Sequence, residues 1–280
     1  MNDSSIQPAE PNDSQQNTKQ QDSTVPPLTH EAIRRFVATD NCLAGKRILV
    51  TGAGSGIGRV AALTYARYGA TVLLLGRTNS KLETVYDEIE HAGGTQPAIL
   101  PMDLEKADYN EMRNLALLIE REFGQLDGIL HNASILGDLT PLEMYDVDTF
   151  AKVMHINATA TFMLTQALLP LVKDTDNGSI VFTSSTVGTH PRAFWGAYAL
   201  SKQAVEGMSD IFTQETQNTT SLRFNCINPG GTRTNMRAHA YPGENPMTLK
   251  TPEEIMAGYI CLMSDESIGV RGQVVALQAI

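Results

Sequence analysis

The amino-acid sequence predicts an α/β fold: a doubly wound domain with about seven parallel strands and helices on both faces of the sheet. From Lys46 onward, short apolar or β-branched runs alternate with longer segments of helical period. The intervening segments are long enough for crossover connections between parallel strands. Composition agrees, because 280 residues with 42% hydrophobic and 19% charged residues are typical of an ordinary globular domain.

The predicted strands recur along the whole of this region. They are KRILV (46–50), TVLLL (71–75), PAIL (97–100), LDGIL (126–130), SIVFT (179–183), SLRFNCI (221–227) and QVVAL (273–277). The main predicted helices cover residues 57–68, 79–92, 106–123, 147–172 and 197–216. The sequence shows neither an internal repeat nor a second domain, so we assign residues 41–280 to one domain.

The N-terminal segment is predicted to be disordered. Its first 24 residues are rich in Gln, Asn, Ser, Asp and Pro, and Ile6 is their only large aliphatic residue. Such a segment buries too little apolar surface to offset the entropy lost on ordering. We therefore assign residues 1–40 to a largely disordered polar extension.

Charge and cysteine content argue against several classes of function. The net charge of −10 argues against a nucleic-acid partner, because such proteins concentrate Lys and Arg on one face. Three cysteines without CxxC spacing and six scattered histidines predict neither a disulfide framework nor a metal site. The sequence shows no secretory signal and no apolar run of the roughly 18–20 residues that span a membrane. We expect a cytoplasmic protein with no membrane partner.

A glycine-rich turn directly follows the first predicted strand. The stretch TGAGSGIGRV places Gly52, Gly54, Gly56 and Gly58 where a helix begins. Glycine permits positive φ angles and close backbone approach, and the free N–H groups at a helix start bind pyrophosphate. A tight turn without a ligand would use the same glycines, but the position after the first strand favours a dinucleotide site.

The end of the second predicted strand indicates which dinucleotide binds. An acidic residue there would hold the ribose 2′-hydroxyl of NAD(H) and repel a 2′-phosphate. Gly76 occupies that position, and Arg77 follows it with a planar set of donors suited to phosphate. The sequence therefore favours NADP(H) over NAD(H), and a solvated arginine in a loop is the alternative.

Tyr198 and Lys202 form a candidate acid/base pair, and an ordinary pair on a helix surface is the alternative when the spacing is taken alone. Tyr198 is the only one of eight tyrosines followed four residues later by Lys, a spacing that places both side chains on one helix face. A nearby ammonium favours phenolate, so we expect the pKa of Tyr198 to lie below its usual value of about 10. Ser185 follows the fifth predicted strand, where α/β sheets place their sites, although such serines are also common as turn residues or caps.

The glycine turn, the serine and the Tyr–Lys pair resemble, in order and spacing, the short-chain dehydrogenase/reductase family in its single-domain branch. Further segments are similar to the family's NNAG motif, its long interface helix and its PG-x-x-x-T segment: HNAS (131–134), MHINATATFMLTQALLP (154–170) and INPGGTRTNM (227–236). The resemblance covers about residues 44–280. Within the family, these segments look most like the bacterial YciK-type oxidoreductases.

The resemblance implies a Rossmann-like fold and hydride transfer between a nicotinamide and a carbonyl or secondary alcohol. Tyr198 resembles the family's general acid/base, and Lys202 the residue that binds the nicotinamide ribose and lowers the tyrosine pKa. Ser185 resembles the residue that orients the carbonyl. Asn157 matches the asparagine that helps to hold a water molecule in the proton relay.

The resemblance also implies a set of cofactor contacts. Asp103 matches the residue that bonds the adenine amine, with Leu104 beside it. The full expected set is Gly52, Gly54, Ser55, Gly56, Ile57, Gly58, Arg77, Asp103, Leu104, Asn132, Ala133, Tyr198, Lys202, Pro229, Gly230, Thr232 and Thr234. Ser134 stands where the family has glycine, and a positive φ there would strain it by about 1 kcal/mol. We expect His131 to be a hydrogen-bonded core residue.

The expected substrate is a small carbonyl or alcohol. Candidate contacts are Ser185, Trp195 and Met236, and the segment after Thr234 lies where the family has a mobile loop over the substrate. The resemblance implies a homodimer or homotetramer. Two alternatives stay open: reduction of 3-oxoacyl thioesters by the same chemistry, and an NADP(H)-binding regulatory protein without turnover.

Overall fold

A seven-stranded parallel sheet forms the centre of the protein, whose computed structural model describes residues 28–173 and 175–278. The strands are β1 (Arg47–Thr51), β2 (Thr71–Gly76), β3 (Ala98–Pro101), β4 (Gly128–His131), β5 (Ser179–Thr183), β6 (Arg223–Asn228) and β7 (Val274–Ala276). Their order across the sheet is β3-β2-β1-β4-β5-β6-β7, and every neighbouring pair is parallel. The predicted doubly wound α/β fold is confirmed. The order reverses between β1 and β4, a point at which such sheets bind ligands.

Helices connect the strands and cover the sheet. They are α1 (His30–Arg34), α2 (Gly56–Arg67), α3 (Asn79–His91), α4 (Tyr109–Phe123), α5 (Val147–Met154), α6 (Ala160–Lys173), α7 (Thr186–Thr189), α8 (Gly196–Thr216), α9 (Asn235–Ala240) and α10 (Met256–Met263). Short 3-10 turns occupy Leu142–Met144, Pro246–Thr248, Glu253–Ile255 and Asp265–Ser267. Within the described ranges, no helix has both the length and the hydropathy needed to cross a bilayer.

Both faces of the sheet are buried, and the alternation of side chains along each strand explains how. In β1, Ile48 and Val50 pack into a core shared with α2, α3 and α10, whereas Leu49 packs into a second core with α4 and α6. Successive residues of a strand point to opposite faces. Strands covered on both faces appear in the sequence as continuous apolar runs such as TVLLL.

Two helices differ from their predicted bounds. Helix α4 begins at Tyr109 rather than at residue 106, because the Asp108 carboxylate accepts from the Glu111 amide at 2.8 Å and the Glu111 carboxylate accepts from the Asp108 amide at 2.9 Å. This reciprocal capping fixes the first turn. The helix predicted over 147–172 is interrupted by a π-helical turn, His155–Thr159, between α5 and α6. Such turns often occur at functional sites.

Helical structure is present before residue 41, where the predicted domain starts. Of the predicted extension 1–40, residues 1–27 lie outside the described part of the chain. Helix α1 lies within the remaining residues of that segment and is capped by the Thr29 hydroxyl. Its residue Ile33 is fully buried in the core that contains α10. Phe36 packs against the same core. The sequence signals for this helix were the capping residue Thr29 and the apolar residues Ile33 and Phe36, which lie three positions apart.

A buried arginine ties the sheet to the end of α10. Arg223 opens β6 and is fully buried. Its guanidinium donates to the backbone carbonyls of Leu262 at 3.1 Å, Ser264 at 3.2 Å and Ser267 at 3.2 Å. Burial lowers the pKa of Arg223 to about 10, which leaves it charged at neutral pH. The cation therefore adds a charged donor to carbonyls at and just beyond the C-terminus of α10, which also accept hydrogen bonds from Ser179, Ser267 and Val270.

Candidate active site

A cleft of about 540 Å³ opens at the carboxyl ends of the strands. The predicted site residues that line it are Gly52, Gly54, Ser55, Gly56, Ile57, Arg77, Asp103, Leu104, Asn132, Ala133, Ser185, Trp195, Tyr198, Pro229, Gly230, Thr232, Thr234 and Met236. Three others, Gly58, Asn157 and Lys202, are buried and do not line it. The fold thus gathers segments that follow six different strands into one site.

The glycine turn has the backbone geometry that requires glycine. Gly52 and Gly56 have φ angles of +68° and +56°. A Cβ at Gly58 would collide with the carbonyl oxygen of Gly52 and lie 2.6 Å from Nδ2 of Asn132. The start of α2 therefore packs directly on the end of β1, and a side chain at Gly58 would push the turn outward.

Thr51, which the sequence reasoning missed, connects this turn to the end of β4. Its buried hydroxyl accepts from the backbone amides of Asn132 at 2.9 Å and Ala133 at 3.0 Å. The two strands on either side of the reversal point are thereby held together at the floor of the cleft. A threonine at the end of a predicted first strand was the available signal.

The N-terminus of α2 fits the pyrophosphate of a dinucleotide. Ser55 occupies the N-cap position of this 12-residue helix, yet its hydroxyl makes no capping bond and lines the cleft. The first amides of a helix attract anions through their free N–H groups and the helix dipole. A phosphate placed here would meet backbone donors, the Ser55 hydroxyl and a glycine-rich turn with few side chains.

Two cations at the end of β2 fit an additional phosphate. Arg77 is exposed and lines the cleft, and so does Lys81 in the first turn of α3. Lys81 was missed, although its spacing of four from Arg77 was visible in the sequence. Arg59, in α2, forms an ion pair with Glu88.

Tyr198 and Ser185 meet at the inner part of the cleft. Tyr198 lies in the first turn of α8 and is 8% exposed. Its hydroxyl lies near that of Ser185, which stands at the N-cap of α7 without capping it. Burial raises the pKa of Tyr198 to about 12, and the nearby Ser185 hydroxyl offsets only part of this effect.

Lys202 lies beneath this pair, and the burial of both Lys202 and Tyr198 explains why the expected low tyrosine pKa was wrong. Its Nζ lies 5.5 Å from the centre of the Tyr198 ring and donates to the backbone carbonyl of Thr183 at 2.7 Å. Burial lowers the pKa of Lys202 to about 8. Desolvation of the phenolate therefore decides the direction of the Tyr198 pKa shift. The i, i+4 spacing could not reveal how deeply both groups are buried.

Asn157 joins two walls of the site. Its side-chain oxygen accepts from the amide of Ile135 at 2.8 Å, and its Nδ2 donates to the carbonyl of Ile135 at 2.9 Å and the hydroxyl of Ser201 at 3.0 Å. Because Asn157 lies in the π-helical turn, its side chain reaches the segment after β4. The structure thus gives it a bracing role, and the predicted water relay stays a prediction.

The segment after β6 closes another side of the cleft. Gly230 has a φ of +71°, and a Cβ there would lie 2.9 Å from Cβ of Gln278. Gln278 donates to the carbonyls of Pro229 at 2.7 Å and Gly231 at 3.0 Å. Thr234 caps α9 by accepting from the amide of Arg237. The missed residue Gln278, from the end of β7, therefore holds this segment in place.

An aromatic row leads from Tyr198 toward the surface. The Trp195 ring lies 5.9 Å from that of Tyr198 and 5.8 Å from that of Tyr241, measured between centroids. Arg237 stacks over Tyr241 at 3.8 Å and pairs with Glu244 at 2.6 Å. The segment after Thr234 is thus fastened beside the expected substrate position, while its predicted mobility is not tested by this geometry.

Two unusual residues near β4 have structural explanations. His131 stacks on Phe182 and is hydrogen-bonded to Thr165 at 2.9 Å, and burial lowers its pKa to about 3, so it is a neutral core residue as expected. Ser134 lines the cleft but does not have a positive φ. The backbone strain considered for it is therefore absent.

Comparison with protein families agrees with this geometry. The model of the family described as short chain dehydrogenase matches residues 46–245. The chain belongs to the short-chain dehydrogenase family. The resemblance inferred from the motifs is confirmed, and the chain is an oxidoreductase of this family.

Relatives in the short-chain dehydrogenase family match most of the chain. The uncharacterized oxidoreductase YciK of Escherichia coli (strain K12) is 54% identical over 220 residues, covering 79% of this chain and 86% of that protein. The 3-oxoacyl-[acyl-carrier-protein] reductase FabG of Thermotoga maritima is 31% identical over 243 residues, covering 84% of this chain and 97% of that protein.

Solved structures of the family share the fold. A short chain dehydrogenase of Shigella flexneri 2a str. 301, complexed with NADP, is 51% identical with a TM-score of 0.84, covering 86% of this chain and all of that one (100%). One from Escherichia coli CFT073, complexed with NADPH, is 50% identical with a TM-score of 0.84 and covers the same shares, 86% and 100%.

Proposed function

We propose that this chain is an NADP(H)-dependent oxidoreductase that transfers a hydride between the nicotinamide and a carbonyl or secondary alcohol. The observation that carries the proposal is that Tyr198 and Ser185 lie near each other in the cleft, with Lys202 buried beneath them. Two hydroxyls that converge on one point suit a substrate oxygen that must be both held and protonated.

The cofactor assignment is supported by the phosphate-binding features of the cleft and by the relatives. Arg77 and Lys81 line the end of β2, where Gly76 replaces an acidic residue. A 2′-phosphate would be attracted there, and the 2′-hydroxyl of NAD(H) would lack its carboxylate partner. Two neighbouring structures with about half of their residues identical contain NADP or NADPH.

The chain's own residues supply proton transfer and positioning. When bound, the cofactor provides the hydride for reduction or accepts it in oxidation. The Ser185 hydroxyl donates a hydrogen bond to the substrate oxygen, and the Tyr198 hydroxyl passes its proton to the same oxygen as the C=O bond becomes C–O–H. One carbonyl, one NADPH and one proton thus give one alcohol and one NADP⁺.

The pKa of Tyr198 favours the reductive direction at neutral pH. With a pKa of about 12, the side chain is a phenol at pH 7, which is the form that gives up a proton during reduction. Alcohol oxidation needs the phenolate as base, and its rate should therefore rise with pH. Lys202, with a pKa of about 8, is mostly charged at pH 7.

A substrate panel tests the reaction class. We would measure NADPH oxidation with ketones, aldehydes and 3-oxoacyl thioesters, using wild type, Tyr198→Phe and the surface control Tyr109→Phe. Loss of the proton donor should reduce kcat by a factor of about 100 or more with little change in NADPH affinity, while the control keeps wild-type rates. Near-normal turnover by Tyr198→Phe would refute the mechanism.

Arg77→Ala tests the cofactor preference. Loss of a charge-assisted phosphate contact should weaken NADPH by about tenfold or more and leave NADH nearly unchanged. Binding is measured by fluorescence titration in the absence of substrate. An equal effect on both cofactors would refute the preference for NADP(H).

The thioester substrates in the panel represent a second candidate function. Thermotoga maritima FabG, named a 3-oxoacyl-[acyl-carrier-protein] reductase, is 31% identical to this chain. Turnover confined to 3-oxoacyl thioesters would favour that activity, and tight NADPH binding without turnover would favour a regulatory protein. We also propose a cytoplasmic homodimer or homotetramer, the assembly that the family resemblance implies.

A further inference from the structure

Glu206 lies one turn beyond Lys202 on α8 and two turns beyond Tyr198. It is half-buried, and its Oε1 accepts hydrogen bonds from the Ser184 hydroxyl and, at 3.1 Å, from the Thr189 hydroxyl. These donors lie on either side of the segment 185–188. A single carboxylate oxygen therefore fastens both ends of the segment that begins with Ser185.

Gly188 lets this segment lie directly on α8. A Cβ at that position would lie 2.7 Å from Oγ of Ser184, 2.9 Å from Oε1 of Glu206 and 3.0 Å from Cβ of Lys202. No side chain can be placed between α7 and the Lys202–Glu206 face of α8. The contact is therefore rigid, and movement of the carboxylate would be transmitted to the backbone of α7.

The other side of the segment is fixed to the sheet. The Ser184 amide donates to the carbonyl of Ile227 at 2.7 Å, and Asn228 donates to the Thr186 hydroxyl at 3.2 Å. Ser185 lies between these two anchors, and its own hydroxyl makes no capping bond to α7. Its position relative to Tyr198 thus depends on how the segment packs against α8.

We propose that Glu206 is a positioning residue that holds Ser185 beside Tyr198 through its bonds to Ser184 and Thr189. The catalytic part of this inference rests on the proposed function. Neither the nicotinamide nor the substrate needs to contact Glu206, which does not line the cleft. Its removal should therefore change kcat more than it changes cofactor affinity.

Three variants test the role of Glu206. Glu206→Ala removes both hydrogen bonds, and Glu206→Gln keeps an amide oxygen that can accept them. The matched control is Glu215→Ala, an exposed glutamate on the same helix. We expect Glu206→Ala to lower kcat by about tenfold or more, because small displacements of catalytic groups are costly. Its KM and NADPH affinity should stay within about twofold of wild type, because a displaced Ser185 affects the transition state and not the binding of substrate or cofactor.

Glu206→Gln separates positioning from charge. It should keep kcat within about threefold of wild type, because neutral acceptors retain most of a hydrogen bond's geometry. Glu215→Ala should match wild type throughout. Equal losses in the Ala and Gln variants would overturn the inference, since the negative charge rather than the two contacts would then be required.

Hydrogen exchange supplies a measurement that does not depend on turnover. In Glu206→Ala, the amides of residues 184–190 should exchange faster than in wild type, with no change elsewhere, while Glu206→Gln and Glu215→Ala leave exchange unchanged. If the wild type reduces no carbonyl substrate, the proposed function fails, and exchange still decides whether Glu206 holds the segment. Unchanged exchange in Glu206→Ala, or faster exchange with wild-type kcat, would overturn the inference.

Discussion

Lys202 makes the stability of this protein depend on pH in a way that one substitution should remove. Burial lowers its pKa from 10.5 to about 8. Each pKa unit corresponds to about 1.4 kcal/mol, so keeping the ammonium charged inside the fold costs about 3 kcal/mol at neutral pH. This cost is present in full below pH 8, because Lys202 is then charged in both the folded and the unfolded chain.

The sign of the effect follows from proton binding. Between about pH 8 and 10.5 the unfolded chain binds the proton more tightly than the folded chain, so the contribution of Lys202 to stability rises with pH. At pH 9 the folded lysine is mostly neutral, which recovers about 1 kcal/mol of the cost. Lys202→Met removes the charge while keeping a long apolar side chain. It also leaves the carbonyl of Thr183 without its donor, a loss of about 1–2 kcal/mol.

The net expectation is that Lys202→Met is more stable than wild type by about 1–2 kcal/mol at pH 7, and by less at pH 9. Urea unfolding of both proteins at both pH values gives the four free energies, and their double difference cancels the other titrating groups. The same variant should lose carbonyl reduction. A variant less stable than wild type at pH 7, with a difference that does not change at pH 9, would refute the reasoning.

Three further predictions concern the turn, the core and the segment beside the substrate. Gly58→Ala should weaken NADPH binding by about tenfold or more, because the added Cβ displaces the glycine turn. The matched control is Gly207→Ala, whose Cβ meets nothing within 4 Å. Equal NADPH titration curves for the two variants would contradict this account. Arg223→Met should lower the free energy of unfolding in urea by about 2 kcal/mol, because losing its five hydrogen bonds costs about 5 kcal/mol and no longer burying the cation recovers about 3 kcal/mol. An unchanged free energy of unfolding would contradict this account. Glu244→Gln, which weakens the pair with Arg237, should raise KM by about threefold or more with little change in kcat, and an unchanged KM would show that this segment does not govern substrate access.

The fold and most cleft residues were predictable because they depend on local patterns. A glycine at a turn with positive φ, such as Gly52, and an apolar run such as TVLLL each have a physical reason that is visible within a few residues. The bounds of α4 and the existence of α1 were missed or shifted for local reasons too, since Asp108 and Thr29 are capping residues. In both cases the capping residue was visible in the sequence.

The electrostatic state of the site was not predictable in the same way. The sequence places Tyr198 and Lys202 on one helix face, and from that spacing alone a lowered tyrosine pKa follows. Burial of both side chains reverses the direction, and burial is decided by β5, β6 and the segment 184–189 packing around them.

Long-range contacts account for the features of the site that the sequence did not predict. The chain itself determined a doubly wound sheet, a glycine turn suited to phosphate and a Ser–Tyr–Lys set in a fixed order. Only the tertiary structure brought Glu206 against Ser184, Gln278 against Pro229 and Asn157 against Ile135. These pairs are separated by 22 to 49 residues, so no local period or motif relates their members, and only the packing of the strands and helices brings them together.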